Sequence, residues 1–284
     1  FQDRDYWQGS ITNRDPAVRR KAVQHMLDSV ELGKQFDSDV LSLWFADGTD
    51  YPGQGDFRQR KRWAAESLKT VYDRMPSGMR MLVEYKPFEP GFYHTDLADW
   101  GMAYTMAKQC GDRAFVLVDL GHHLHGQNIE HLVAYLLDEG MLGGFHFNNR
   151  KYADDDLTVG SINPYELFLI YHELAKAEEE ALPGPPVAYM VDQAFNTKKK
   201  IPGMIQTIMN IQSSYAKALI VDRAALARAQ SESDVVGAEA ALQEAYETDV
   251  APLLNTVRAE MGVPEEPLKA YLAGDYQRRI EAER

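Results

Sequence analysis

A single cysteine, Cys110, stands in the 284 residues, so no disulfide framework can form within the chain and nothing argues for an oxidising compartment. No apolar run reaches the roughly 18 residues of a membrane-spanning helix. The opening Phe1-Gln2-Asp3-Arg4-Asp5 has the layout of neither a secretory signal nor a transit peptide. Basic residues are short: 30 Lys and Arg against 43 Asp and Glu leave a formal charge of −13. That balance repels a phosphate backbone and argues against nucleic-acid binding. The phosphate loops GxGxxG and GxxxxGK[ST] are missing too, which removes the usual anchor of a nucleotide-binding sheet. Repeats and low-complexity tracts are absent. What is present, 45% hydrophobic and 26% charged residues, is ordinary globular composition, and the length suits one α/β barrel. A cytoplasmic protein acting on a small neutral or metal-bound substrate, without membrane or nucleic-acid partners, is the expectation.

Helical and short apolar segments alternate through residues 1–200. Val18, Ala22, Met26 and Val30 recur at helical spacing over 16–35, with Asp15 and Pro16 as cap and first residue. Helices follow over 57–75, 96–110, 128–139 and 164–180. Between them lie five strand-like runs, at 40–45, 79–85, 114–119, 142–147 and 187–192. Strands alternating with helices predict an α/β fold built from parallel βαβ units, closed as a barrel or opened as a doubly wound sheet. The strand ends decide for the barrel. Trp44, Glu84, Asp119, His146 and Asp192 each close a strand, and a barrel gathers such ends on one face. Residues 201–284 read as an all-helical extension of three long helices, 203–230, 236–261 and 265–282. It is expected to pack on the barrel or at a subunit interface. The first of these helices presents Ile205, Ile208, Ile211, Tyr215 and Leu219 on one face.

Glu84, Asp119, His146 and Asp192 are spaced by 35, 27 and 46 residues, lengths of one or more βα units. Three carboxylates and an imidazole converging on a rim match a divalent cation such as Mn²⁺ or Mg²⁺, since bare carboxylates so close would repel. His122 lies three residues past Asp119, after Gly121, which is expected to let the backbone turn. Asp154 and Asp156 alternate around Asp155 and can share one side of a loop. These three suggest a second cation, with Glu84 or Asp119 as a bridge. His123 and His125 are read as neighbours. Lys86, two residues past Glu84, is placed on the same strand face. Its ammonium either meets a substrate oxygen or catalytic water, or neutralises excess carboxylate. Trp44 packs the barrel or forms an apolar wall for a sugar face.

The motifs LWFADGTDYPGQ, VEYKPFEPGFYHTD, VDLGHH with GQNIE, GGFHFNNRKYADDD and YMVDQ resemble bacterial L-rhamnose isomerase, its broad-specificity branch most closely. The likeness extends through IPGMIQTIMNIQ and AKALIVDR towards the last residues. It implies a (β/α)8 TIM barrel of the xylose-isomerase-like group, usually a homotetramer, that interconverts L-rhamnose and L-rhamnulose. Two divalent cations are implied per subunit, Mn²⁺ first, with Mg²⁺, Co²⁺ or Zn²⁺ as alternatives. By this resemblance Glu84, Asp119, His146 and Asp192 hold the substrate-binding cation, and His122, Asp154 and Asp156 hold the catalytic one. Lys86 and Asp192 are the catalytic candidates, and Trp44 lines the sugar pocket. A hydride shift and an enediol route both stay open.

Eight strands make such a barrel and five are visible here. The resemblance therefore implies an amino-terminally truncated barrel whose other strands, with a histidine and aromatics of the pocket, precede Phe1. A related sugar epimerase and a non-catalytic remnant are the alternatives to the isomerase. A metal-dependent phosphodiesterase of the AP-endonuclease type is disfavoured by the lack of a basic rim.

Overall fold

The computed structural model describes residues 3–89 and 93–283, and its chain divides into two units. The first comprises Phe1–Phe147 with Leu182–Val191, the second Asn148–Ala181 with Asp192–Arg284. Pro90, Gly91 and Phe92 of the VEYKPFEPGFYHTD motif lie outside the described residues.

In the first unit helix α1 (Pro16–Gln35) starts where Asp15 accepts the Ala17 N–H, and it buries Ala22, Met26 and Val30 at four-residue spacing. Strands β1 (Val40–Leu43), β3 (Arg80–Glu84), β6 (Ala114–Asp119), β7 (Leu142–Phe147) and β8 (Ala188–Val191) form one sheet in the order β1-β3-β6-β7-β8. Every pairing in it is parallel. Three helices follow its strands in turn: α2 (Phe57–Tyr72) after β1, α3 (Trp100–Cys110) after β3 and α4 (Ile129–Asp138) after β6. Asp56, Asp99 and Asn128 cap them, each accepting an N–H of the first turn.

The strand order never reverses along the chain. A doubly wound sheet must reverse it, so this sheet is the curled half of a (β/α)8 barrel, as the strand ends suggested. Its central strands β3, β6 and β7 are covered on both faces. Met81, Leu82, Val83, Val116, Leu117, Val118, Phe145 and Phe147 are fully buried. Gly143 makes the close packing feasible: a Cβ there would sit 2.3 Å from Leu82 Cδ2 and 2.6 Å from Phe115 Cβ.

The short strands β2 (Gly48–Thr49), β4 (Phe88–Glu89) and β5 (Tyr93–Thr95) escape sequence reading. They form a small antiparallel sheet, β2-β5-β4, over the loops that follow β1 and β3. Two- and three-residue strands carry no measurable alternation. Asp47 ties this region down. Its carboxylate accepts from the backbone and hydroxyl of both Ser10 and Thr12, at 2.6–2.8 Å.

The second unit is helical: α5 (Pro164–Glu179), α6 (Lys200–Leu219), α7 (Arg223–Ser231), α8 (Val235–Glu247), α9 (Ala251–Glu260), α10 (Pro267–Ala273) and α11 (Tyr276–Glu283). The three long helices expected past residue 200 are thus six. Asp222 starts a new helix by accepting the Ala225 N–H, Pro252 stands in the first turn of α9, and the chain breaks again at Gly274. Helical periodicity runs through such breaks when the loops between are short. In α6 the buried residues are the small ones. Gly203, Thr207, Ser214, Ala216 and Ala218 are buried, whereas Ile208, Tyr215 and Leu219 are exposed. Helix α5 packs beside α6, with Tyr171 against Tyr215 at 5.9 Å between ring centroids. Tyr165 and Phe168 of α5 meet Tyr246 of α8 in the same way.

Candidate metal centre

Parallel register brings the strand ends of the first unit together. Glu84 is the last residue of β3 and Asp119 the last of β6, and Asp119 stands opposite His146 of β7. Glu84 and Asp119 are buried at 3% and 0% exposure, too deep for carboxylates to stand without compensation. Histidines supply it. His122 Nδ1 lies 3.2 Å from Glu84 Oε1, and His146 Nδ1 lies 3.2 Å from the same oxygen. Asp119 has His146 Nδ1 at 3.8 Å and His122 Nε2 at 4.0 Å.

Burial pushes the Glu84 carboxyl up, but the hydrogen bonds from His122 and His146, with their charge, outweigh it and hold the group below its ordinary value. Glu84, Asp119 and His122 each offer one ligand atom, all within 4.8 Å of one another. Two buried carboxylates and two imidazoles converging in this way suit a divalent cation of the Mn²⁺, Co²⁺ or Zn²⁺ type.

The loop after β6 is folded by its own side chains. Gly121 donates its N–H to Asp119 Oδ1 at 2.7 Å, and it does not adopt positive φ. The turn therefore uses the carboxylate rather than the glycine's conformational freedom. His122 Nδ1 also lies 3.0 Å from the Tyr85 carbonyl oxygen, and the Tyr85 hydroxyl 3.3 Å from His123 Nε2. Burial, then the charges of Asp119 and Glu84, push the Tyr85 phenol well above its ordinary value, so it stays neutral.

Lys86 departs from the strand-face expectation, because β3 ends at Glu84 and alternation stops there. Its ammonium pairs with Glu89 and lies 5.2 Å from the centre of the Trp44 ring. Trp44 itself is half-buried, one residue past β1.

The remaining sequence candidates belong to the second unit. Asp192 directly follows Val191, the end of β8. Asp154 and Asp156 sit half-buried in a loop closed by a backbone bridge between Asn149 and Leu157. Asp155 takes another task. Its two oxygens accept the N–H groups of Lys151 and Tyr152 at 2.8 and 3.2 Å. Asp156 has φ of +42°, a left-handed conformation that non-glycine residues seldom hold, and its carbonyl accepts the Ala194 N–H at 3.0 Å.

Tyr85 and Asn149 escape sequence reading. Asn149 Oδ1 lies 3.1 Å from the Ile162 N and 3.4 Å from the Asn163 N, at the start of α5. Tyr85 carries one signal, an aromatic one step past a strand-end carboxylate. A cavity of about 600 Å³ elsewhere in the first unit is lined by Phe57, Lys61, Leu97, Asp99 and Met102 among others. None of the converging residues lines it.

No family model matches the chain. It is 45% identical over 283 residues to a protein of Rhizobium meliloti (strain 1021) named probable sugar isomerase. The alignment covers all of this chain and 66% of that relative, so the chain spans just under two thirds of its length. A xylose isomerase of Thermus caldophilus is 27% identical over 180 residues, 60% of this chain and 46% of that protein. Among solved structures, a D-tagatose 3-epimerase-like protein superposes with a TM-score of 0.55 over 74% of each chain at 19% identity, a likeness of fold. The chain is thus similar along its whole length to a probable sugar isomerase and shares the barrel architecture of a sugar epimerase-like protein.

Proposed function

We propose that the chain belongs to an aldose–ketose isomerase that interconverts L-rhamnose and L-rhamnulose with two divalent cations, Mn²⁺ in the first place. The observation that carries the reading is the convergence of Glu84, Asp119, His122 and His146 within the first unit. The named sugar isomerases among its relatives and the motif resemblance support the sugar as substrate class. Glu84, Asp119, His146 and Asp192 are assigned to one cation, and His122, Asp154 and Asp156 to the other. The reading carries with it a cytoplasmic homo-oligomer, a tetramer by resemblance, acting on a free sugar.

When bound, the cations supply Lewis acidity at the sugar oxygens and lower the pKa of a water. The chain's own residues bind and orient. Trp44 presents its indole to an apolar sugar face, and Lys86, anchored on Glu89, keeps ammonium donors for a sugar hydroxyl. The Asp119 and Glu84 carboxylates hold the imidazoles in place, and Asp192 is assigned with Lys86 to the proton on the sugar oxygens. In the net reaction the hydrogen on C2 moves to C1 and the O2 hydroxyl proton ends on O1, so no external oxidant is needed.

The test is the Mn²⁺-loaded chain with L-rhamnose in D₂O, followed by NMR. L-Rhamnulose is expected. Deuterium at C1 marks exchange through an enediol, and its absence a hydride shift. A folded, cation-loaded chain that leaves L-rhamnose unchanged overturns the reading. Turnover of a ketose at C3 instead would identify a sugar epimerase.

A further inference from the structure

His122 and His123 are consecutive, and one residue from the end of the neighbouring strand engages both. The Tyr85 carbonyl oxygen lies 3.0 Å from His122 Nδ1. A carbonyl only accepts, so the hydrogen of this bond sits on Nδ1, the tautomer that ligates through Nε2. Glu84 Oε1, 3.2 Å from the same nitrogen, is a second acceptor and favours the same tautomer. His122 Nε2 is the nitrogen turned to Asp119, 4.0 Å from Oδ1. At its other end Tyr85 meets His123 edge-on, with ring centroids 5.5 Å apart at 75° and the hydroxyl 3.3 Å from Nε2. Tyr85 is 1% exposed, so water does not compete for either hold.

We propose that Tyr85 is a positioning residue of the metal centre, fixing His122 through its carbonyl and His123 through its ring and hydroxyl, so that His122 Nε2 faces a divalent cation beside Asp119. The inference rests on the metal-centre reading above and deepens it. Tyr85 would touch no reacting atom. It acts through the imidazole it orients, as outer partners of metal-binding histidines do, and losing such a partner typically lowers metal affinity by about ten- to a hundredfold.

The test compares the full chain with Tyr85→Phe and Tyr85→Leu. Phenylalanine keeps ring and carbonyl and removes only the weaker hydroxyl hold, whereas leucine removes ring and hydroxyl together. Imidazole tautomers are read by long-range ¹H–¹⁵N correlation in the cation-free protein, and Zn²⁺ affinity by calorimetry. His122 is expected as the Nδ1–H tautomer in the wild type and in Tyr85→Phe. Tyr85→Leu, which also keeps the carbonyl, should keep that tautomer but release His123 and with it the loop that holds His122, losing about ten- to a hundredfold in Zn²⁺ affinity. Gly143→Ala, which strains the sheet away from the loop, should lower the melting temperature and leave the His122 tautomer unchanged. A wild-type His122 in the Nε2–H form overturns the proposal, as does a folded Tyr85→Leu chain that binds Zn²⁺ like the wild type. If Tyr85→Leu does not fold, the wild-type tautomer and the Zn²⁺ affinity of Tyr85→Phe, expected within about threefold of wild type, decide it. A wild-type chain that takes up no Zn²⁺ overturns the metal-centre reading instead, and the His122 tautomer still reports whether Tyr85 sets the ring.

Discussion

His146 and Asp119 stand opposite each other on adjacent parallel strands, with His146 Nδ1 3.8 Å from Asp119 Oδ2 and 3.2 Å from Glu84 Oε1. Ionised carboxylates only accept, so this nitrogen carries hydrogen while no cation is present. His122 differs, because its Nδ1 hydrogen is directed to a carbonyl. The proposed ligation therefore makes the two histidines respond differently to diamagnetic Zn²⁺. His146 should lose its Nδ1 hydrogen and His122 should keep it, as read from ¹⁵N shifts. Glu84→Gln should weaken uptake by more than about a hundredfold, because it removes a direct ligand rather than an outer partner. Unchanged Zn²⁺ affinity in that variant would remove Glu84 from the ligand set.

His172 gives an acid-sensitive term in the second unit. It is 6% exposed on α5 with no hydrogen-bond partner at Nδ1. Burial first, then the charges of Arg223 and Lys176, push its pKa down from 6.5 to about 4. The unfolded chain binds this proton more readily, so the stability at stake is intact above about pH 6.5 and is lost as pH falls towards 4. After allowance for solvent screening the loss is about 2 kcal/mol. His172→Leu should flatten the acid limb of a urea-midpoint profile over that interval. An unaltered limb would show that His172 is not its source.

Asp47 offers a test of the loops over the barrel half. Four donors from Ser10 and Thr12 converge on it, and it is 4% exposed. Asp47→Ala leaves three of those donors unmatched, the Thr12 hydroxyl still having Asp96 at 2.9 Å, and should cost about 3 kcal/mol in chemical unfolding. Asp47→Asn, which keeps one acceptor oxygen, should cost less. Equal midpoints for Asp47→Ala and the wild type would contradict this account.

Gly143 tests the packing of the sheet. Its missing side chain is space already taken by Leu82 and Phe115. Gly143→Ala should destabilise by about 2–3 kcal/mol through overpacking. Pairing it with Leu82→Ala should restore part of the loss, and a double variant no better than the sum of the two singles would refute the clash.

Much of this was legible in the sequence. The five apolar runs became five parallel strands, and α1 runs from Pro16 to Gln35 as its spacing and cap demand. Glu84, Asp119 and His146 were legible as strand-end residues because a parallel strand buried on both faces reads as an unbroken apolar run, and its first polar residue marks the exit. For Lys86 only the strand-face placement fell away, because β3 stops at Glu84, while its ion pair is one of the two roles the sequence left open. Alternation was extended two residues beyond the ladder, and the ammonium pairs with Glu89. In α6 burial falls on the small residues, and Ile208, Tyr215 and Leu219 of its large apolar face stay exposed.

The sequence alone determined the βα rhythm, the caps that start most of the helices, and the residue types available at each strand end, since these depend on neighbours a few positions away. Tertiary structure decided what no local pattern contains. Register set Asp119 across from His146, β3 and the following loop put Tyr85 against two histidines 37 and 38 residues away, and a Ser10–Asp47–Thr12 knot formed from separate segments. Such contacts join residues far apart in the chain, and the energy that selects them, burial of apolar strands and satisfaction of buried charge, exists only once the strands lie side by side.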